Sequence, residues 1–189
     1  SSTTENSHTS RPHRQRKNPL MFQLNDSPRS NLALSVIPKC GACRLDRGCK
    51  SPKMPITGQG RMGILVIAEA PGKDEDDLNE QLVGSAGTAA RRALDKAGID
   101  LHLDCWKTNS IICRPPKNRE PTDDEIDYCR PNINKAIRDL KPRLIILMGR
   151  SAVQSVISPL WRESVGPIGT WVGWKIPAQK YNCWICPTY

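Results

Sequence analysis

The chain has 189 residues with 28 basic and 19 acidic side chains, which give it a net charge of +9 at pH 7. This length allows one well-buried domain plus a tail and excludes two ordinary domains. The basic charge points to a polyanionic partner, although general solubility explains it equally well. Because no long apolar run and no signal sequence are present, we expect a soluble, cytoplasmic protein with no membrane partner.

Residues 1–38 are predicted to form a disordered basic tail. They are rich in Ser, Thr, Asn, Pro and Arg, and their apolar residues are too sparse for helical or strand periodicity. Basic residues such as Arg14 and Arg16 are able to touch nucleic-acid phosphates, but a solvated tail is the better interpretation. The folded domain is therefore expected to span residues 39–189.

A cysteine pair, Cys40 and Cys43, opens the ordered part of the sequence, and Cys49 follows in a loop. The Cys-x-x-Cys spacing brings two thiolates to one metal with little loop strain. Redox dithiols share this spacing, but they follow a strand, and no strand pattern closely precedes Cys40. Metal ligation is also favoured over a disulfide scaffold for the eight cysteines, because the chain has enough hydrophobic residues for a core.

A continuous apolar run at residues 64–67 predicts a central strand that is covered on both faces of a parallel sheet. Glu69 follows directly at the carboxyl end of this strand, where α/β sheets place their functional groups. The acidic residues 74–77 are interpreted as a solvated loop. A helix is then predicted for residues 88–97.

Strands and helices continue to alternate, which predicts an α/β fold with a parallel sheet. A strand at residues 105–110 leads into a proline-rich loop whose basic residues are candidate DNA contacts. These are Arg114, Lys117 and Arg119. Thr122 and Glu125 form a capping-box signature that starts a helix at about residue 123. The remaining predictions are the end of this helix at 140 after a kink or restart at Pro131, a strand at 144–148, a helix at 151–157, a hairpin arm at 171–176 and a fourth parallel strand at 182–186.

Four cysteines stand apart as candidate metal ligands, because the last two flank the basic loop and so allow the loop and the Cys-x-x-Cys pair to converge. They are Cys40, Cys43, Cys113 and Cys129. Four thiolates suit zinc or an iron–sulfur cluster, and the residue types alone leave both open. Cys105, Cys183 and Cys186 lie in predicted strands and are interpreted as buried small hydrophobes, whereas Cys49 remains ambiguous.

Five motifs, CGAC, AEAPGKDEDD, LVGSAG, KTNSIICRPP and a cysteine on the following helix, agree in order and spacing with one known family. Residues 40–189 resemble the family 4 uracil-DNA glycosylases. The resemblance implies a three-layer αβα fold with a central four-stranded parallel sheet and a four-iron, four-sulfur (4Fe-4S) cluster on the four candidate cysteines. It also implies that the chain binds DNA and excises uracil.

The resemblance assigns roles to the residues around the first predicted strand. Glu69 matches the acidic residue that is associated with the attacking water, and Ala70, Pro71 and Gly72 match the walls of the uracil pocket. Asn109 matches the asparagine that pairs with the uracil edge, since its amide offers an acceptor to N3–H and a donor to O4. Cytosine would present the opposite pattern.

The chain departs from this family at three places. Leu82 stands where the family has a phenylalanine that stacks on the flipped base, and Asn79 replaces a family glycine. The final PTY resembles the point just before the family's His-Pro-Ser motif, so the domain is expected to be incomplete at its carboxyl end.

Three functions follow from these observations. The first is a glycosylase that flips uracil out of the base stack and hydrolyses its glycosidic bond, working as a monomer or within a larger assembly. The second is a weak or inactive DNA-binding relative, such as a domain of a larger replication or repair protein. The third is a zinc-stabilised nucleotide-binding protein, against which the sequence lacks a G-x-x-x-x-G-K phosphate loop.

Overall fold

A computed structural model describes residues 40–161 and 164–189, so the predicted tail lies outside the described residues. The domain is built around one mixed sheet. Its strands are β1 (Ile64–Ala68), β2 (Cys105–Asn109), β3 (Leu144–Met148), β4 (Ile176–Ala178) and β5 (Cys183–Thr188). They lie in the order β2-β1-β3-β5-β4. The predicted first three strands and the fourth parallel strand are thereby confirmed, because β2, β1, β3 and β5 pair in parallel.

The prediction of a purely four-stranded parallel sheet is wrong at one edge. A fifth strand, β4, pairs antiparallel with β5, with Ile176 opposite Ile185. The hairpin arm was predicted at residues 171–176, but β4 begins only at Ile176. The residues before it form a 3-10 turn at Ile168–Thr170, followed by further turns. Pro177 lies in the middle of β4 and has no N–H to donate, which suits a short strand at the sheet edge.

Helices cover both faces of the sheet and complete three layers. They are α1 (Lys73–Leu78), α2 (Ser85–Asp95), α3 (Asp123–Leu140) and α4 (Arg150–Trp161). The α3 and α4 helices pack their apolar faces on Leu65, Ile145 and Ile185, whereas α2 packs on Ile64 and Val66. Because both faces of the sheet are covered, the sequences of β1 and β3 are apolar at every position.

The start of α3 is the one that the capping-box signature predicts. The Thr122 side chain accepts a hydrogen bond from the Glu125 backbone N–H, and the Glu125 carboxylate accepts one from the Thr122 N–H. Pro131 does not restart the helix, which runs without interruption to Leu140. The buried face of α3, which includes Ile133 and Ile137, compensates for the helical hydrogen bond that the proline removes.

The predicted acidic loop at residues 74–77 is instead the helix α1, and two of its carboxylates are buried. Glu75 is 7% exposed and Asp76 is 3% exposed. Both bind backbone N–H groups of neighbouring segments, which stabilises a buried carboxylate. The interpretation of the whole run as solvated was therefore wrong.

The face of the sheet that α2 covers is unevenly buried among the described residues. Ile64 and Val66 on β1 are buried, but Leu144 and Ile146 on β3 are only half-buried, and Trp184 on β5 is exposed.

No helix in the described part of the chain is both long and apolar enough to span a membrane.

Candidate active site at the carboxyl edge of the sheet

Glu69 and Asn109 lie on neighbouring strands at the carboxyl edge of the sheet. Asn109 is the last residue of β2 and stands opposite Ala68, the last residue of β1, so Glu69 is the first residue beyond the sheet. The following residues hold this edge together, because the N–H of Ser110 donates to Ala68 O at 2.7 Å and the Ser110 hydroxyl donates to Glu69 O. The two candidate functional side chains are therefore carried by a rigid edge.

The Glu69 carboxyl group is half-buried beside the start of α4. The Ser151 hydroxyl, at the second position of that helix, donates to Glu69 Oε2 at 3.3 Å. Burial raises the pKa of Glu69, and the nearby Glu120 raises it further, whereas the hydrogen bond from Ser151 lowers it. The positive end of the α4 dipole also favours a carboxylate at this place. Glu69 is thus held as a partly desolvated acid beside a single hydroxyl donor.

The Asn109 side chain is buried against an amide that the sequence motifs do not include. Asn109 is 1% exposed and Gln81 is fully buried. Asn109 Nδ2 donates to Gln81 Oε1, and Gln81 Nε2 donates to the Pro55 carbonyl at 3.2 Å. Sequence reasoning missed Gln81 because a lone glutamine in a polar turn carries no motif. It also missed Ser151, which looks like an ordinary residue of the first helical turn.

The turn that contains Leu82 is closed by the buried Glu75. The Glu75 carboxylate accepts hydrogen bonds from the N–H groups of Gly72, Val83 and Gly84, at 3.0, 3.0 and 2.7 Å. This joins the predicted pocket wall at Gly72 to the turn that starts α2. The carboxylate therefore acts as an internal substitute for backbone pairing in this irregular segment.

Leu82 itself lies in the core between the sheet and α2. It is 2% exposed and has a left-handed backbone with φ of 56°. Its carbonyl oxygen would lie 1.8 Å from a Cβ atom at position 87, so only Gly87 fits there. A contact between Leu82 and a flipped base stays a prediction, and it requires this buried side chain to gain an open face. Asn79, the other departure in this turn, has φ of 53° at the end of α1, a conformation that asparagine tolerates well.

The four candidate cysteine ligands line one pocket. Cys40, Cys43, Cys113 and Cys129 all contribute to its wall, together with residues of the loop after β2. Cys113 and Cys129 are buried in an apolar cluster, and Ala70 of the predicted uracil pocket packs against the same cluster. The pocket therefore adjoins the segment that carries Glu69.

The chemistry of this pocket fits a cluster held by thiolates. The Lys53 backbone N–H donates to Cys113 Sγ at 3.2 Å, and Asn132 Nδ2 donates to Cys129 Sγ at 3.6 Å. Burial raises the pKa of the Cys113 and Cys129 thiols to about 12, so a metal must displace their protons when it binds. Among the described residues no group of three or more side chains is arranged to hold a single metal ion. Four cysteine thiolates are a ligand set that zinc and iron–sulfur clusters share.

The sequence of this domain matches a known family over most of its length. Residues 55–189 match the Uracil DNA glycosylase superfamily. The chain belongs to this superfamily. The resemblance predicted from the five motifs is thereby confirmed.

Relatives within the uracil-DNA glycosylase superfamily carry a more specific name. The chain is 32% identical over 162 residues to the "Type-4 uracil-DNA glycosylase" of Saccharolobus solfataricus, covering 84% of this chain and 74% of that protein. For the same-named protein of Pyrobaculum aerophilum the identity is 33% over 68% of this chain and 65% of the relative. For that of Archaeoglobus fulgidus it is 34% over 65% and 60%. The chain thus spans about two thirds of the length of these relatives.

The basic loop of this superfamily member is tied to the domain by its two arginines. Arg119 makes two hydrogen bonds to the Glu125 carboxylate, at 2.8 and 2.6 Å, and this interaction holds the pKa of Glu125 below its usual range. Arg114 donates to Asn118 at 2.7 Å and lies 3.5 Å from Asp76. Lys117 is exposed at the loop tip with φ of 56°. The three predicted DNA contacts lie in one loop, in which Lys117 and Arg119 are exposed and Arg114 is half-buried.

Asp76 connects three segments around this loop. It is a buried carboxylate that accepts hydrogen bonds from the N–H groups of Lys50 and Ser51 while it faces Arg114. The segment after the Cys-x-x-Cys pair, the helix α1 and the basic loop are therefore joined at one side chain.

Proposed function

We propose that this chain is a uracil-DNA glycosylase, a DNA repair hydrolase that flips uracil out of DNA and cleaves its N-glycosidic bond with water. The observation that carries the proposal is the buried Asn109 amide at the carboxyl edge of the sheet, one strand away from the half-buried Glu69. An amide can pair with the uracil edge, and a carboxylate can orient a water. The names of the relatives support the same activity.

In the proposed reaction the C1′–N1 bond breaks and its electron pair leaves with the uracil base. The water oxygen then bonds to C1′, and the water proton passes to the Glu69 carboxylate or to solvent. The Asn109 amide holds the base through the N3–H and O4 groups of uracil. Ala70, Pro71 and Gly72 wall the pocket, and Leu82 takes the place of the residue that stacks on the base.

We also propose that Cys40, Cys43, Cys113 and Cys129 bind a 4Fe-4S cluster. The fit of four thiols around one pocket and the donors aimed at two of their sulfur atoms support this ligand set. The cluster supplies a structural link between the Cys-x-x-Cys segment and the loop after β2. Every chemical step above is carried by side chains of the chain itself.

The proposed activity predicts that the protein releases uracil from a single-stranded oligonucleotide and leaves an alkali-labile site. The control substrate carries thymine, which differs from uracil by one methyl group, at the same position. A contaminating nuclease would cut both oligonucleotides, whereas uracil excision gives no product from the thymine substrate. Strand binding without any uracil release would contradict the enzyme and favour an inactive DNA-binding relative.

Replacing Ser151 with alanine is expected to move the acid limb of the pH–rate profile to higher pH. Glu69 must be ionised to hold the water, and its pKa is already raised by burial. Removing the Ser151 hydroxyl removes the hydrogen bond that favours the ionised form, so the pKa rises further. Single-turnover rates measured across the acid range would show this shift. Ser155→Ala, on the same helix, is the control, and an unshifted Ser151→Ala profile would exclude Glu69 as the titrating group.

Lys117→Ala is expected to weaken DNA binding mainly through its salt dependence. Loss of one phosphate contact should reduce the slope of log K against log salt by about 0.7 for single strands. Arg138→Ala is a matched control, because this exposed side chain lies near the opposite end of α3 from the loop. Equal slopes for Lys117→Ala and the wild type would remove Lys117 from the DNA-binding surface.

A further inference from the structure

A chain of two buried amides leads from a backbone carbonyl to Asn109. Gln81 Nε2 donates to Pro55 O at 3.2 Å, and Gln81 Oε1 accepts from Asn109 Nδ2. Both side chains are at least 99% buried, so water does not compete for these bonds. This arrangement lies next to the proposed base-recognition group but is not part of the motifs that identify it.

The carbonyl at the start of this chain fixes the orientation of both amides. A backbone carbonyl can only accept, so Gln81 must turn its NH2 group toward Pro55 and its oxygen toward Asn109. That oxygen can also only accept, so Asn109 must turn its NH2 group toward Gln81. The opposite orientation of either amide would place two acceptors or two donors against each other in a buried site.

We propose that Gln81 is a positioning residue that fixes the orientation of the Asn109 amide and so makes the site select uracil over cytosine. This inference rests on the proposed function of Asn109. In the fixed orientation Asn109 turns its Oδ1 away from Gln81, so Oδ1 can accept from uracil N3–H and the second N–H of Nδ2 can donate to O4. A rotated amide would instead match the N3 acceptor and the N4 donor of cytosine.

The turn that carries Gln81 is held firmly enough for this role. The neighbouring Glu80 accepts a hydrogen bond from the buried Lys107 Nζ at 3.1 Å, two residues before Asn109 on the same face of β2. On the other side of Gln81, the N–H groups of Val83 and Gly84 bind the Glu75 carboxylate. Gln81 therefore has fixed neighbours on both sides and little freedom to turn away from Asn109.

Two substitutions separate orientation from packing. Gln81→Leu removes the acceptor that holds the Asn109 NH2 group, whereas Gln81→Glu keeps an oxygen at that place and, as the neutral acid that the Pro55 carbonyl favours, also keeps a donor to Pro55 O. The measured quantity is the ratio of the affinities for free uracil and free cytosine, obtained by NMR titration of each purified variant. Gln81→Leu is expected to lower this ratio at least about 10-fold, within the range that a bidentate base contact discriminates. Gln81→Glu is expected to keep the ratio close to that of the wild type.

A wild-type ratio in Gln81→Leu would overturn the proposal, and so would an equal loss in both variants, because equal losses indicate packing alone. If Gln81→Leu fails to fold, the wild-type protein still decides. A scalar coupling across the Asn109–Gln81 hydrogen bond is expected in the same NMR spectra that show couplings across the backbone hydrogen bonds of the sheet. If the backbone couplings are seen and the Asn109–Gln81 coupling is not, the fixed orientation is overturned. Wild-type protein that shows the coupling but neither binds nor excises uracil would refute the proposed function and leave the fixed orientation intact.

Discussion

Asn109→Ala is expected to reduce the single-turnover rate of uracil excision by about 100- to 1000-fold, as does loss of one preorganised donor in other enzymes. The amide contacts the base where negative charge develops as the glycosidic bond breaks, so its loss weakens the transition state more than the bound substrate. The substitution also leaves the buried Gln81 Oε1 without its donor, which costs about 1–3 kcal/mol of stability.

The comparison for Asn109→Ala is its affinity for an oligonucleotide without uracil. This affinity should equal that of the wild type, because the substitution leaves the DNA contacts proposed for the basic loop unchanged. The melting transition checks that the variant is folded at the assay temperature. A folded Asn109→Ala protein that excises uracil at the wild-type rate would exclude the amide from base recognition.

Cys113→Ala is expected to lose both the iron and a large part of the stability of the domain. Cys113 is 4% exposed. It lies two residues after Ile111, whose N–H donates to Glu69 O at 3.3 Å, so the segment that carries Cys113 is anchored at the carboxyl edge of the sheet. Because a metal that binds only the folded state adds its binding energy to folding, its loss should cost several kcal/mol. Iron and sulfide analysis, visible absorbance and thermal unfolding of anaerobically prepared protein measure the two losses.

Cys105→Ala is the matched control for this experiment. Cys105 is also a buried cysteine, but it lies in β2 and packs against the α2 side of the sheet, away from the cysteine pocket. It should keep its full iron content and lose only the packing of one sulfur atom. Stoichiometric zinc without iron in the wild type, or full iron in Cys113→Ala, would refute the proposed cluster ligands.

The elements that the sequence predicted well are those with one dominant physical signal. The apolar run of β3 matches residues 144–148 at both ends, and α3 begins where Thr122 and Glu125 predicted it. The positions of Glu69 and Asn109 were also predictable, because Glu69 directly follows one buried strand and Asn109 ends another. In these places local pattern and tertiary packing favour the same structure.

The elements that the sequence did not predict depend on partners that are distant along the chain. Asp76 looks solvated by composition, yet it binds the N–H groups of residues 25 and 26 positions earlier. Gln81 and Asn109 are 28 positions apart, and neither residue type indicates that they form a buried pair. The predicted hairpin arm at 171–176 was placed too early, because pairing with β5, and not composition, sets the limits of β4. Such contacts are visible only once the chain has folded.

The position of Asp76 has a thermodynamic consequence. It joins the segment after Cys43 to the loop of Lys117 and Arg114, so ordering of one segment favours ordering of the other. If an occupied cysteine pocket strengthens DNA binding by a given factor, DNA must retain the metal more tightly by the same factor, because linkage between two binding sites is reciprocal. A chelator would then remove iron more slowly in the presence of oligonucleotide. Removal of iron would in turn weaken the affinity for DNA by the same factor by which DNA strengthens the affinity for iron.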